Sequence, residues 1–181
     1  MHLSVANRLL ISGSQVLVAI PFSLLGLTKF EHTEEKAIWQ PPNKVFGIVW
    51  PCLYSMLYVM NYKILSNPVL TLSYKTLFAK NVIIESFCQS VWLYYFRYKK
   101  QIRGRSKEQY FSSLLAIIVL LFQSSELMKM LFSCEKIGNI KYLYVPYFLW
   151  LNFASLLNIQ LVAGYTKQLK HVGPKDRFMI I

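Results

Sequence analysis

Three groups of residues in this sequence have the types and spacing either to pack helices against one another or to line a site for a bound ligand. Phe46, Trp50, Tyr54 and Tyr58 recur every four residues, so on a helix they form one slowly drifting aromatic stripe. Glu85, Gln89, Trp92 and Phe96 are spaced four, three and four, which puts a carboxylate and an amide on one helical face with two rings. Trp150, Ala154 and Asn158 follow one another at intervals of four. Aromatic faces supply stacking area, and a few inward polar groups fix orientation. The chemistry these groups offer is recognition. No nucleophile–base constellation accompanies them. His2, His32 and His171 are mutually distant, and Cys52, Cys88 and Cys134 have neither metal-ligand nor disulfide spacing. No metal site is expected, and no cofactor is required.

Each group also has a plainer use. The stripe could be core packing, although Tyr54 and Tyr58 at membrane depth would then need partners for their hydroxyls. Glu85 could be a paired interhelical hydrogen bond, contributing about 0.6–2 kcal/mol, or a ligand contact facing the bundle interior. Pro51 lacks a backbone donor and crowds the carbonyl of Gly47, which predicts a kink or a wider cavity beside Trp50. The run Val162-Ala-Gly-Tyr165-Thr-Lys167 fits a proposed sterol pattern. An interfacial tyrosine followed by a snorkelling lysine gives the same letters.

The elements that must position these residues follow from composition. The chain has 181 residues, 55% hydrophobic and only 15% charged, where soluble domains carry about a quarter charged residues. Leu9–Thr28, Val45–Tyr62 and Tyr142–Thr166 are uncharged over 20, 18 and 25 residues. Each is long enough to cross a hydrocarbon core of about 30 Å as a helix. Two weaker stretches, 77–96 and 110–131, carry Glu85, and Glu126 with Lys129. An all-α membrane protein is expected, a single domain of five transmembrane helices enclosing a pocket, at about 9–28, 45–65, 77–97, 110–131 and 142–166. The first stretch is read as a retained helix, because Ser12, Ser14 and Gln15 interrupt it and no signal-cleavage pattern stands out. The first connection, 29–44, is the long one; it ends in Trp39 and the stiff Pro41-Pro42 pair, like a lid.

The net charge of +12 records topology. With five spans, 29–44, 97–109 and the basic tail 167–181 fall on one side and hold thirteen Lys or Arg residues, against seven on the other. Basic residues are retained in the cytosol, so the C-terminus is predicted to be cytosolic. The partner this charge implies is the lipid bilayer, and nucleic acid is not expected.

The segments "WQPP", "VFGIVWPCLYSMLY" and "VPYFLWLNFASLLN" resemble, in the right order, motifs of the tryptophan-rich sensory protein/translocator protein family, also called the peripheral benzodiazepine receptor family. The motifs are W-x-P-P, V-x-G-x-V-W-x-x-L-Y and P-Y-x-x-W-x-x-F-x-x-x-L-N. The resemblance implies a receptor or carrier that binds porphyrin (haem or protoporphyrin IX), and in animal members sterol, with the first loop over the cytosolic mouth of the pocket. It implies ligand-binding roles for Trp39, Trp50, Trp92, Trp150, Ala154 and Asn158, to which the helix faces add Tyr54, Glu85 and Gln89, and a sterol segment at Val162, Tyr165 and Lys167. No catalytic residue is assigned, but some bacterial relatives implicate tryptophans like Trp50 and Trp150 in light-dependent porphyrin breakdown. A scaffold without a small ligand is the third reading, and homodimerisation is left open. A mitochondrial outer membrane or another intracellular membrane fits a eukaryotic member. Three departures stand out: Ala37 replaces a proline, Pro51 follows the motif tryptophan, and Glu85 is an acid where an amide is common.

Overall fold

The computed structural model describes residues 4–27, 41–98 and 107–171, excepting the side chains of 22–27, 43, 97–98, 107–109 and 164–171. Trp39, most of the 29–44 lid and the far part of the basic tail lie outside them. Among the described residues there are five α-helices: α1 Val5–Leu27, α2 Asn43–Ser66, α3 Leu72–Leu93, α4 Lys107–Phe132 and α5 Val145–His171. A π-helical turn, Tyr94–Tyr98, extends α3, and a 3₁₀ segment, Glu135–Tyr144, leads into α5. The described residues contain no strand.

Several helices begin before the apolar stretches that announced them. A run of uncharged residues marks membrane depth, whereas a helix continues past the interface as long as its backbone bonds close. Thr71 shows how α3 starts early: its hydroxyl accepts from the Tyr74 N–H at 3.3 Å and caps the first turn. Upstream, the Asn67 side chain accepts from the Val69 N–H at 2.9 Å, an Asx turn that reverses the chain between α2 and α3.

Packing places α1 between α2 and α3, α3 between α1 and α4, and α4 between α3 and α5. The fifth side is different. α2 packs along α1 and the 3₁₀ segment but approaches α3 and α5 closely at few positions. Large side chains fill that separation.

The outward faces are apolar. Ile48, Phe87, Leu115, Phe122 and Leu149 are each more than 60% exposed. In water so many exposed large side chains would be an aggregation or docking surface; on this bundle the solvent is lipid. Three helical stretches are long and apolar enough to cross a membrane by length and composition: Lys44–Ser66, Tyr110–Phe132 and Glu135–Ala163. Val5–Pro21 is a shorter apolar stretch. α3 carries Lys75, Lys80 and Glu85, yet α1 and α4 flank it, and its outer positions Leu77, Ile83 and Phe87 are apolar and exposed. The chain is a multi-pass integral membrane protein in contact with the bilayer.

The fifth span differs most from the sequence expectation. A helix was predicted from 142; the chain instead forms a ten-residue 3₁₀ segment first, with Ile137 and Tyr144 buried. Runs of 3₁₀ helix longer than three or four residues are uncommon, and this one is broken at Gly138, with φ 66° and ψ −150°. That region of backbone space is open essentially to glycine alone. Pro146 then sits in the first turn of α5, where its missing N–H costs no bond.

Pro51 does not interrupt α2, which runs unbroken from Asn43 to Ser66. Its ring is exposed on the side away from the core, and Ser55 Oγ donates to the Pro51 carbonyl at 2.8 Å. Gly47, whose carbonyl the ring crowds, has open space where a Cβ would be.

Candidate functional site

The same face of α3 builds two adjoining regions. The first centres on Glu85, which is fully buried. Gln15 of α1 donates from Nε2 to Glu85 Oε2 at 2.8 Å. The Tyr144 hydroxyl, at the end of the 3₁₀ segment, donates to Glu85 Oε1. Ser124 of α4 lies 2.6 Å from the Tyr144 hydroxyl, and Asn61 of α2 reaches Gln15 Oε1 at 3.4 Å. One carboxylate therefore ties α1, α3, α4 and the 3₁₀ segment directly or through one further group, and α2 through Gln15. Alongside it, the Ser14 and Ser86 hydroxyls join α1 to α3 at 2.8 Å. Polar groups with no water nearby are costly unless paired, so these residues must find one another for the helices to pack.

One turn further along α3 begins an aromatic cluster. Gln89 Nε2 donates to the Tyr54 hydroxyl, and Tyr54 stacks on Trp50 with ring centroids 5.3 Å apart. Trp50 lies 6.0 Å from Trp92 and 6.3 Å from Trp150, the latter pair at 90°. Phe46, Phe96 and Phe153 extend the cluster from three helices. Offset and edge-to-face pairs of this kind add about 0.5–1.5 kcal/mol each beyond area burial. The cluster occupies the gap where α2 stands off from α3 and α5.

Its polar atoms are not satisfied. Gln89 Oε1, Trp92 Nε1, Trp150 Nε1 and the Tyr147 hydroxyl are all buried without a hydrogen-bond partner. Gln89 thus marks the boundary between the regions, with its amide nitrogen engaged and its oxygen open. Tyr147 stands beside Tyr144, with ring centroids 5.5 Å apart, so one tyrosine serves the Glu85 hub while its neighbour has no partner.

Of the residues picked out by spacing, Trp50, Tyr54, Gln89, Trp92 and Trp150 come together. Tyr58 leaves the stripe and packs over Gly13 of α1, whose Cβ position is 3.9 Å from its ring. Residues four apart drift about 40° around a helix, so twelve residues beyond Phe46 the side chain faces another neighbour. The same drift, about 80° over eight residues, separates Asn158 from Trp150. Asn158 Oδ1 accepts from Ser113 of α4 at 2.7 Å, and its Nδ2 returns to the Ala154 carbonyl at 2.8 Å. Ala154 is buried. Val162 is half-buried on α5, while the side chains of Tyr165 and Lys167 lie outside the described ones.

Spacing along single helices did not find Gln15, Ser124, Tyr144 or Tyr147. A signal existed for Gln15, a polar interruption in an otherwise apolar stretch. Nothing in the sequence pairs it with Glu85, 70 positions away. The cysteines are free, and Cys52 faces outward. Among the described residues no three His, Cys, Asp or Glu side chains converge.

A search of individual curated proteins gives no match. The TspO/MBR family model matches residues 15–163, most of the chain, including the Glu85 hub and the aromatic cluster. The chain belongs to the TspO/MBR family.

Proposed function

We propose that the protein is a membrane receptor or carrier for porphyrin, haem or protoporphyrin IX, with sterol as a second ligand. The observation that carries this reading is the aromatic cluster with four unsatisfied buried polar atoms. A flat macrocycle inserted among Trp50, Trp92 and Trp150 gains stacking area on rings already gathered there. Its carboxylates or carbonyls would accept from the Trp92 and Trp150 indoles, and its pyrrole N–H groups would donate to Gln89 Oε1. The residues thus suit the ligand's edge and face. Haem adds an iron whose axial ligand this reading does not assign. Sterol is assigned to Val162, Tyr165 and Lys167, on the motif alone. The charge asymmetry supports a cytosolic C-terminus.

Quenching of tryptophan fluorescence by protoporphyrin IX tests the reading, with Trp150→Phe and Gln89→Leu as variants. Saturable quenching weakened by both substitutions is the expected result. Absence of quenching by porphyrin and sterol alike would leave a scaffold. Tyr165→Ser tests the sterol segment, which fails if sterol affinity is unchanged.

The edge-to-face contact of Trp50 and Trp150 also favours a second reading, light-dependent porphyrin breakdown. Illumination of the complex in air, with dioxygen as the oxidant and oxygen source, would then yield a bilin-like product, and Trp50→Phe would abolish it. Binding without product leaves the receptor.

A further inference from the structure

At the end of the bundle where α2 gives way to its turn, a groove of about 340 Å³ runs between α2 and the 3₁₀ segment. Tyr62, Lys63 and Ser66 form one wall, and Ile64, Ile137 and Ile140 supply apolar surface. Arg8 of α1 leans on the same wall. Its Nη1 donates to Ser66 Oγ at 3.2 Å, and its Nε is buried with no hydrogen-bond partner. Neither Arg8 nor Lys63 forms an ion pair among the described residues. Asn67 is already engaged, with Nδ2 on the Lys136 carbonyl and Oδ1 on the Val69 N–H. The open polar capacity of the groove is therefore cationic, over an apolar floor.

Its depth identifies the occupant. Lys63 lies in the last turn of α2 and is exposed, and the chain turns back over Asn67–Leu70, so the cations sit at the level of lipid headgroups. An exposed ammonium, with a guanidinium held behind it on the Ser66 hydroxyl, suits phosphate oxygens, which accept from the point charge and are attracted by the second cation. We propose that this groove binds the headgroup phosphate of an anionic phospholipid, held by Arg8 and Lys63, with an acyl chain along Ile137 and Ile140. The site lies at the end of the bundle with fewer basic residues, opposite the basic tail. It is therefore a local device and not a consequence of overall charge.

The test is lipid retention by the full chain, measured by native mass spectrometry after reconstitution in equal phosphatidylcholine and phosphatidylglycerol. Preferential retention of phosphatidylglycerol is expected, about thirtyfold for two basic residues at an anionic headgroup. Arg8→Gln with Lys63→Gln should abolish the preference. Lys63→Glu, at an exposed position, should abolish it without disturbing the fold and so decides the matter if the double variant unfolds. Lys129→Gln, near the same end but outside the groove, should retain it. Equal retention of both lipids overturns the proposal, as does an undiminished preference in Lys63→Glu or an equal loss in Lys129→Gln. Oleate held as tightly as phosphatidylglycerol, or thermal stabilisation by inorganic phosphate alone, overturns the assignment to a phospholipid.

Discussion

Glu85 and Trp92 stand about two turns apart on one face of α3, yet their surroundings are opposite. Both Glu85 oxygens accept hydrogen bonds from other elements of the bundle. The Trp92 indole N–H is equally buried and has no partner, and the same holds for Trp150. A saturated polar centre does its work inside the protein, fixing which helices meet and at what height. An unsaturated one retains bonding capacity for something that arrives later. The difference separates the Glu85 hub from the proposed binding site more sharply than residue type does, since Glu85 is the more reactive-looking group of the two.

The largest effect should come from breaking the saturated side. Glu85→Ala orphans the Gln15 amide nitrogen and leaves Tyr144 with Ser124 alone; at about 1–3 kcal/mol for the orphaned group and about 1 kcal/mol for the other lost bond the expected loss is about 2–4 kcal/mol. The midpoint of unfolding in a fixed detergent measures it. Glu85→Gln keeps the shape and one good acceptor, so it should cost clearly less; equal losses would mean that the acceptor bonds do not hold the hub.

Gly138→Ala comes next, at about 1–3 kcal/mol, because the new Cβ would sit on a backbone conformation reserved for glycine. If Gly138 serves to deliver Tyr144 to Glu85, adding Tyr144→Phe to Gly138→Ala should cost less than Tyr144→Phe alone. Simple additivity would dissociate the backbone break from the hub.

On the unsaturated side the expectation is reversed. Trp92→Phe and Trp150→Phe each remove a buried donor that bonds to nothing, which offsets part of the packing lost with the larger ring, so the loss of stability should be about 1 kcal/mol, below that at Glu85. Porphyrin affinity should fall about tenfold, the equivalent of about 1.4 kcal/mol, read by fluorescence titration. Lost stability with retained affinity would make the cluster an ordinary core. The smallest effect belongs to Lys129→Ala. It removes the 2.6 Å pair with Glu126 between two exposed side chains, worth less than about 1 kcal/mol, and it should leave both regions as they are.

Much of this was legible in the sequence for a physical reason. Charge-free stretches at membrane length, and aromatic residues repeating every four positions, are properties of single helices. Trp50, Tyr54, Gln89, Trp92 and Trp150 were therefore visible as candidates before any packing was known. The hub was visible only as an isolated acid. Its partners lie on α1, α4 and the 3₁₀ segment, and no local pattern states that Gln15 and Tyr144 will meet over Glu85. The 3₁₀ approach to α5 was likewise hidden, because "EKIGNIKYLY" has the polarity of a loop. Its two buried residues, Ile137 and Tyr144, are covered by packing on α2, α4 and α5 and by the bond to Glu85.

By itself the sequence determined the solvent, most of the helices and most of the faces that would turn inward, since each follows from hydrophobicity and the 3.6-residue period; the family followed from its motifs. Only the tertiary structure decided which inward polar groups are satisfied. That depends on distances between side chains far apart in the chain, and it is what distinguishes the fully bonded Glu85 from the open Trp92, Trp150, Gln89 and Tyr147.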